Sequence, residues 1–414
     1  MKRLFLLFAI LLPLAACARH QILAPNVKSL QVQVNDDWLS PPVMTLGSED
    51  VLRVSFDELS HNYHRFVVHL EHCTPNWQPT EGLFDSDWLE GFNDWPIDSY
   101  ENSINTTVLF THYQLQIPNE QCRLRLSGNY RLHVIDEDND NQEVLTAEFR
   151  IVEPLMTVAL SISANTDIDH NQSHQQVSMK VNYNALRVTN PEEQIQTYVM
   201  QNNREDNMKE NVAPSYKNQK GMEWEHNRGM IFEAGNEYHK FEMLDPSHTT
   251  MGLEHIEWNE TDRHYHAYPF DCEPQRNYTY DEDADGAFII RNSENTETDL
   301  TCDYIYVHYK LKALREYPDT RVIVDGSWTT EPADTYQMTY DHSDRSYHAT
   351  ILQKQGYYNY QLLMLDADGL THRMPEEGSF FQTGNRYQAL IYYKGTGARA
   401  WRLVGYRQVI HKGA

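Results

Sequence analysis

Basic residues are scarce in this sequence. Lys and Arg number 34 against 60 Asp and Glu, a formal charge of −26. So acidic a chain is repelled by phosphate backbones, which excludes nucleic acid as a partner on electrostatic grounds. Glycine (18) and proline (17) are too few in 414 residues for a collagen-like or low-complexity chain. Sustained 3.6-residue apolar periodicity is missing, so long helices are not expected. Gly-x-Ser-x-Gly, His-Glu-x-x-His and a phosphate-cradling glycine loop are absent too. No catalytic residue and no cofactor is assigned. Aromatic residues, by contrast, reach 12% and include 26 tyrosines, more apolar surface than a disordered chain carries.

The one long apolar run lies at the start. Met1-Lys2-Arg3 is basic, and Leu4 to Ala16 follows as 13 apolar residues. A bilayer span needs about 20. Residues 1–16 have the length and flanks of a signal peptide. The run ends Leu14-Ala15-Ala16-Cys17, which resembles the bacterial lipobox, where the cysteine is lipidated and becomes the new N-terminus. The alternative is an ordinary signal cut after Ala18. With Cys17 lipidated, that lipid is the only membrane anchor, since no later stretch is apolar enough to cross. The rest of the chain then lies in an aqueous space outside the cytoplasm.

That compartment permits disulfides. Cys73, Cys122, Cys272 and Cys302 allow three pairings. Local pairing, Cys73 with Cys122 and Cys272 with Cys302, keeps each bridge inside one domain as divided below. Four buried free thiols are the alternative, because a chain of this size does not need bridges.

Apolar and polar residues alternate along much of the chain. Phe66, Val68 and Leu70 share one face; so do Tyr130, Leu132 and Val134, then Ile305, Val307, Tyr309 and Leu311, then Tyr358, Tyr360, Leu362 and Met364. This period of two marks half-buried strands. Acidic turn clusters separate them, such as 136–141, 281–286 and 366–369. The expected fold is all-β, with tandem immunoglobulin-like or early-set β-sandwich domains. Three units are expected: 24–154, an irregular middle domain with long loops at 155–314, and an early-set immunoglobulin-like domain at 315–414.

Candidate chemistry is sparse. Asp281, Asp283, Asp285 and Gly286 match positions 1, 3, 5 and 6 of a calcium loop, but position 12 is Asn292 where a bidentate Glu belongs. Acidic turns are the better reading. His61-x-x-His64 and His264-x-His266 have metal-ligand spacing without a convincing third ligand. Between Trp77 and Trp95 the chain carries three Trp and two Phe with no strand period, and Trp77, Trp88, Phe92 and Trp95 are the candidate contacts. This loop is either packed internally over a sandwich or a protein-binding edge, since aromatics in loops dominate contact hot spots.

The same residues resemble a known family. Glu71-His72-Cys73 with Trp77, Leu89-x-Gly91-Phe92, Asn105-Thr-Thr107, Thr111-His112-Tyr113, Pro118-Asn119 and Ser127-Gly-Asn-Tyr130 follow the order of the type IX secretion system plug proteins of Bacteroidota. Gln201-Asn202 with Arg204, Gly235-Asn-Glu237, Asp285-Gly286 with Phe288, Lys354-Gln-Gly-Tyr357, Glu377-Gly-Ser-Phe380 and Thr383-x-Asn385-x-Tyr387 continue the likeness over nearly the whole mature chain. The resemblance implies a non-enzymatic periplasmic plug or accessory protein. Its partner would be the outer-membrane type IX translocon barrel, whose periplasmic mouth it seals. Ala18-Arg19-His20 lacks the acidic run that in this phylum directs lipoproteins to the cell surface, so the inner leaflet of the outer membrane is the expected location. The alternative is a carbohydrate-binding lipoprotein, with Trp328 and Tyr336 as sugar-stacking candidates.

Overall fold

The computed structural model describes residues 20–412. The expected signal peptide, 1–16, and Cys17 lie outside the described residues. Within them the chain is nearly all strand, and helical segments do not exceed four residues. No helix among them is long and apolar enough to cross a membrane. β-Branched and aromatic residues at alternate positions favour the pleated state over the helix, and acidic turns close the hairpins. At one of these, Asp140 and Asn141 adopt φ of 51° and 56°, the left-handed geometry that Asn and Asp tolerate.

Three sandwiches make up the body. In the first, strands Val27–Val34, Leu52–Glu58, Thr111–Ile117 and Ser99–Asn102 form one antiparallel sheet. It faces Gln142–Val152, Gly128–Asp136, Phe66–Cys73 and Trp95–Pro96. The apolar cluster between them runs from Ile22 to Ile151 and includes Phe56, Tyr113, Tyr130 and Phe149. A short two-stranded sheet, Leu89–Gly91 with Cys122–Leu124, lies beside it. Glycine is required at 91, where φ is 113° and a Cβ would sit 1.9 Å from the Gln121 carbonyl oxygen.

The second sandwich departs from the expected division at 314. One layer is local: Thr157–Ser163, His174–Asn182, Gly221–Trp224 and Tyr216–Asn218. In the other, Ile195–Gln201 pairs with Asn385–Tyr393, which pairs with Arg402–His411. The last strands of the chain therefore complete the middle unit. Met179, Trp224, Phe232, Tyr387 and Ile391 fill its core. The third sandwich takes the interior of the sequence. Tyr304–Lys312, assigned by sequence to the middle domain, pairs with Ser346–Lys354. Gln337–Asp341 turns the corner between layers, its start on Arg321–Asp325 and its end on Ser346–Lys354. The units 155–314 and 315–414 are thus corrected. Alternation tells that a segment is a strand, but not which distant strand it joins.

The expected bridges are corrected as well: all four cysteines are buried free thiols. Cys272 bridges to Leu311, at the far end of the strand from Cys302, which precedes Tyr304. At a strand rise of about 3.3 Å per residue, that places them several times the span of a disulfide apart. Cys73 lies opposite Asn129 in the main sheet of the first sandwich, whereas Cys122 lies opposite Gly91 in the small one.

Candidate functional site

The aromatic loop rests on the first sandwich. Trp88 and Trp95 are buried in its core, so as partner-contact residues they are corrected to packing residues. Trp77 is buried too, but at a border. The Arg150 guanidinium lies 4.8 Å over its ring, and its indole N–H points to Glu205, 3.4 Å away. A large, flat indole covers more apolar surface inside than a loop tip can leave outside. Phe92 is the candidate that faces solvent, 76% exposed, together with Phe84 at 74%. Phe84 is one of the five aromatics of the same period-free stretch, although sequence alone does not single it out as a contact. Asp85, Asp87, Glu90 and Asp94 flank the two rings.

Where the sandwiches meet, polar side chains are buried and paired. Between the first and second, Arg150 bridges to Glu205, and the Tyr392 hydroxyl donates to Asn129 at 2.5 Å. Burial lowers the Arg150 pKa on its own; Glu205 outweighs it and holds the guanidinium charged. Glu148, 2.7 Å from Arg131, is pushed up to about 7 by burial, with Arg131 pulling down and Glu205 pushing up. Between the second and third, Arg204 donates to Gln361 at 3.3 Å, and Arg386 lies 3.5 Å from Asp285. The acidic turn 281–286 therefore holds a border. Desolvation raises Asp283 to about 8, helped by the charge of Asp285. A cavity of about 240 Å³ lies at this three-way junction, lined by Trp77, Arg150, Glu205, Arg204, Asp285 and Arg386 among others.

The border of the first and third sandwiches is held by a buried cluster. Asp57 accepts from Lys354 Nζ at 2.6 Å and from the Tyr304 hydroxyl at 2.7 Å. His112 Nδ1 lies 2.7 Å from its other oxygen. The Lys354 ammonium also sits 4.1 Å over the Phe110 ring. Nearby, both oxygens of Asp303 accept backbone N–H groups from Thr107 and Val108, at 2.7 and 3.1 Å.

The histidine candidates His64, His264 and His266 are also committed to structure. His64 Nδ1 lies 3.0 Å from Asp136. His266 lies between Asp262, at 2.8 Å, and His308, at 2.7 Å. Among the described residues, no group of three or more His, Cys, Asp or Glu is arranged to hold a metal ion. Trp328 is buried, its indole N–H donating to the Asn359 carbonyl at 2.9 Å, and its ring meets that of buried Tyr336 edge-on at 5.7 Å. As a sugar-stacking pair they are corrected: neither ring has a free face to offer.

Fold and site together define an all-β scaffold of three sandwiches whose buried polar groups weld one unit to the next. Residues 27–153 match the family model of the type 9 secretion system plug protein 1st domain. The chain belongs to the type 9 secretion system plug protein family. A hypothetical protein from Parabacteroides merdae, solved by crystallography, is 34% identical to it, covering 95% of this chain and 99% of its own, with a TM-score of 0.90. Trypsin-activated alpha-2-macroglobulin from Escherichia coli is 9% identical, with 93% of this chain and 29% of its own covered and a TM-score of 0.17. Collagen adhesin from S. aureus is 8% identical, with 94% and 96% covered and a TM-score of 0.10. No curated protein matches.

Proposed function

We propose that this protein works in the periplasm as a non-enzymatic plug, binding the outer-membrane type IX translocon barrel and sealing its periplasmic mouth. A lipid on Cys17 would anchor it to the inner leaflet of the outer membrane and raise its effective concentration beside the barrel. Family membership supports the association with type IX secretion. The observation that carries the sealing role is the welding of the sandwiches: buried pairs Asp57–Lys354 and Arg150–Glu205 join segments far apart in sequence across two borders. A plug must resist deformation, and relative motion of the units would require breaking buried ion pairs, each costly to leave unpaired. Phe84 and Phe92, set among carboxylates, are the contact residues we assign to the barrel, as exposed aromatic anchors within a polar rim.

A pull-down of a C-terminally tagged copy from mildly solubilised outer membranes of the host tests this reading. The barrel is expected to elute with the tagged chain. Elution of the chain alone, while other translocon complexes stay whole, would overturn it.

A further inference from the structure

The strand Thr157–Ser163 ends its sheet. It pairs with His174–Asn182 over seven consecutive residues without a bulge. On its other side, no backbone or side-chain group among the described residues hydrogen bonds to its main chain. Its sequence, Thr-Val-Ala-Leu-Ser-Ile-Ser, has no charge and no proline. An edge of this kind is a template for pairing with another chain, and proteins normally guard against it with charges, prolines, bulges or brevity.

Among the described residues, the strands that end the other sheets are guarded, and the uncharged side strands Gln21–Ile22, Val43–Thr45 and Phe288–Ile290 are no longer than three residues. Lys209–Glu210, Tyr216–Asn218, Ser99–Asn102, His239–Glu242 and Leu253–Asn259 all carry charged residues, and Trp95–Pro96 ends on a proline. Val27–Val34 carries Lys28 and a register shift after it. In so acidic a chain, the uncharged seven-residue edge stands apart. Its inward residues point the same way. Val158 is buried, its side chain set close to Gly405 on the facing layer. Leu160 and Ile162, further along the same face, are only partly buried and pack at the margin of the second core. An added strand would cover both.

We infer that Thr157–Ser163 is a docking edge that accepts an extended segment of another polypeptide by β-strand addition. Main-chain hydrogen bonds supply affinity, and side chains at alternate positions supply selectivity. The segment is extended, carries apolar residues at alternate positions to cover Leu160 and Ile162, and lacks acidic residues. The net charge of −26 decides between occupants: it repels a second copy of this chain and any acidic segment. This inference does not depend on the barrel-sealing reading.

The test is selection of a random twelve-residue peptide display library on the full chain. Recovered peptides are expected to alternate apolar residues, to lack Asp and Glu, and to protect the amides of 157–163 from hydrogen exchange. Ile162→Glu places a carboxylate that reaches water past the open edge but is trapped by an added strand; it should bind the peptides at least tenfold more weakly while still unfolding in one cooperative thermal transition. Ser161→Pro, which changes the edge backbone, is a second variant should the first unfold. Failure to recover such peptides, equal binding by both variants, or protection elsewhere would overturn the proposal. So would a concentration-dependent dimer in sedimentation that Ile162→Glu abolishes, since it would give the edge to a second copy.

Discussion

The carboxylate of Asp57 and the ammonium of Lys354 meet at 2.6 Å across 297 residues of sequence, both almost fully buried. One comes from the first sandwich and the other from the third. Breaking such a pair leaves a buried charge without its partner, at a cost of about 3–5 kcal/mol. Lys354→Met is therefore expected to lower the unfolding free energy by that order in urea titrations. Adding Asp57→Asn to it, which removes the stranded carboxylate charge while keeping an amide beside Tyr304 and His112, should cost less than the single change. Equal or greater loss in the double variant would contradict a paired role.

The same cluster sets an acid limit. Burial alone would raise the Asp57 pKa, but Lys354 and His112 outweigh it and hold the group below its ordinary 3.8. A carboxylate depressed in the fold contributes stability that is fully present above its unfolded pKa and is lost as pH falls through the folded one. His72 adds to this limit: burial lowers it from 6.5 to about 4. Its share, roughly 3 kcal/mol, is full above 6.5 and drains as pH falls towards 4. His72→Gln should flatten the unfolding free energy over that interval; an unchanged slope would remove His72 as the cause.

Glu148 acts in the opposite direction. Its pKa rises from 4.5 to about 7, so the fold prefers the protonated acid. The stability it contributes is full below 4.5 and is lost as pH rises through 7. Glu148→Gln, always neutral, should remove a decline of roughly 3 kcal/mol over that window. Urea titrations at intervals across the window check it.

Trp88 and Phe92 stand four residues apart and separate packing from contact. Trp88→Ala empties core volume and is expected to cost about 3–5 kcal/mol. Phe84→Ser with Phe92→Ser touches exposed side chains and should shift stability by no more than about 0.5 kcal/mol. The Phe pair should nevertheless weaken capture of the barrel. Unchanged capture would remove the loop from the contact surface.

The cysteines give a direct chemical test. With Cys17 replaced by Ser, the denatured and unreduced chain should take up four alkyl groups at Cys73, Cys122, Cys272 and Cys302, as free thiols do. Mass spectrometry reads the count, and an uptake of two or none would mean bridges.

Much of the fold was legible because a half-buried strand shows its burial in its alternation. Ile305, Val307, Tyr309 and Leu311 read as one inward face and are all fully buried. The reading stops where sandwiches touch. Asn359 and Gln361 alternate with Tyr358, Tyr360 and Leu362 as an outward polar face would, yet both are buried. Asn359 accepts from the Ala284 N–H at 2.7 Å, and Gln361 donates to Asp325 at 3.0 Å. A polar residue facing a border and one facing water look the same in sequence. For that reason the acidic turn 281–286 reads as solvated while Asp285 pairs with Arg386. The tryptophans mislead in the reverse sense: a loop without period hides whether its rings turn in or out, and Trp77, Trp88 and Trp95 all turn in.

The seal is tested most directly by conductance. The purified translocon barrel is set in a planar bilayer, and the soluble chain is added to its periplasmic side. Closure of the open pore at saturating chain is expected, reversed when the chain is washed away and weakened by the Phe84→Ser and Phe92→Ser pair. A pore that conducts equally with and without bound chain would contradict the plug.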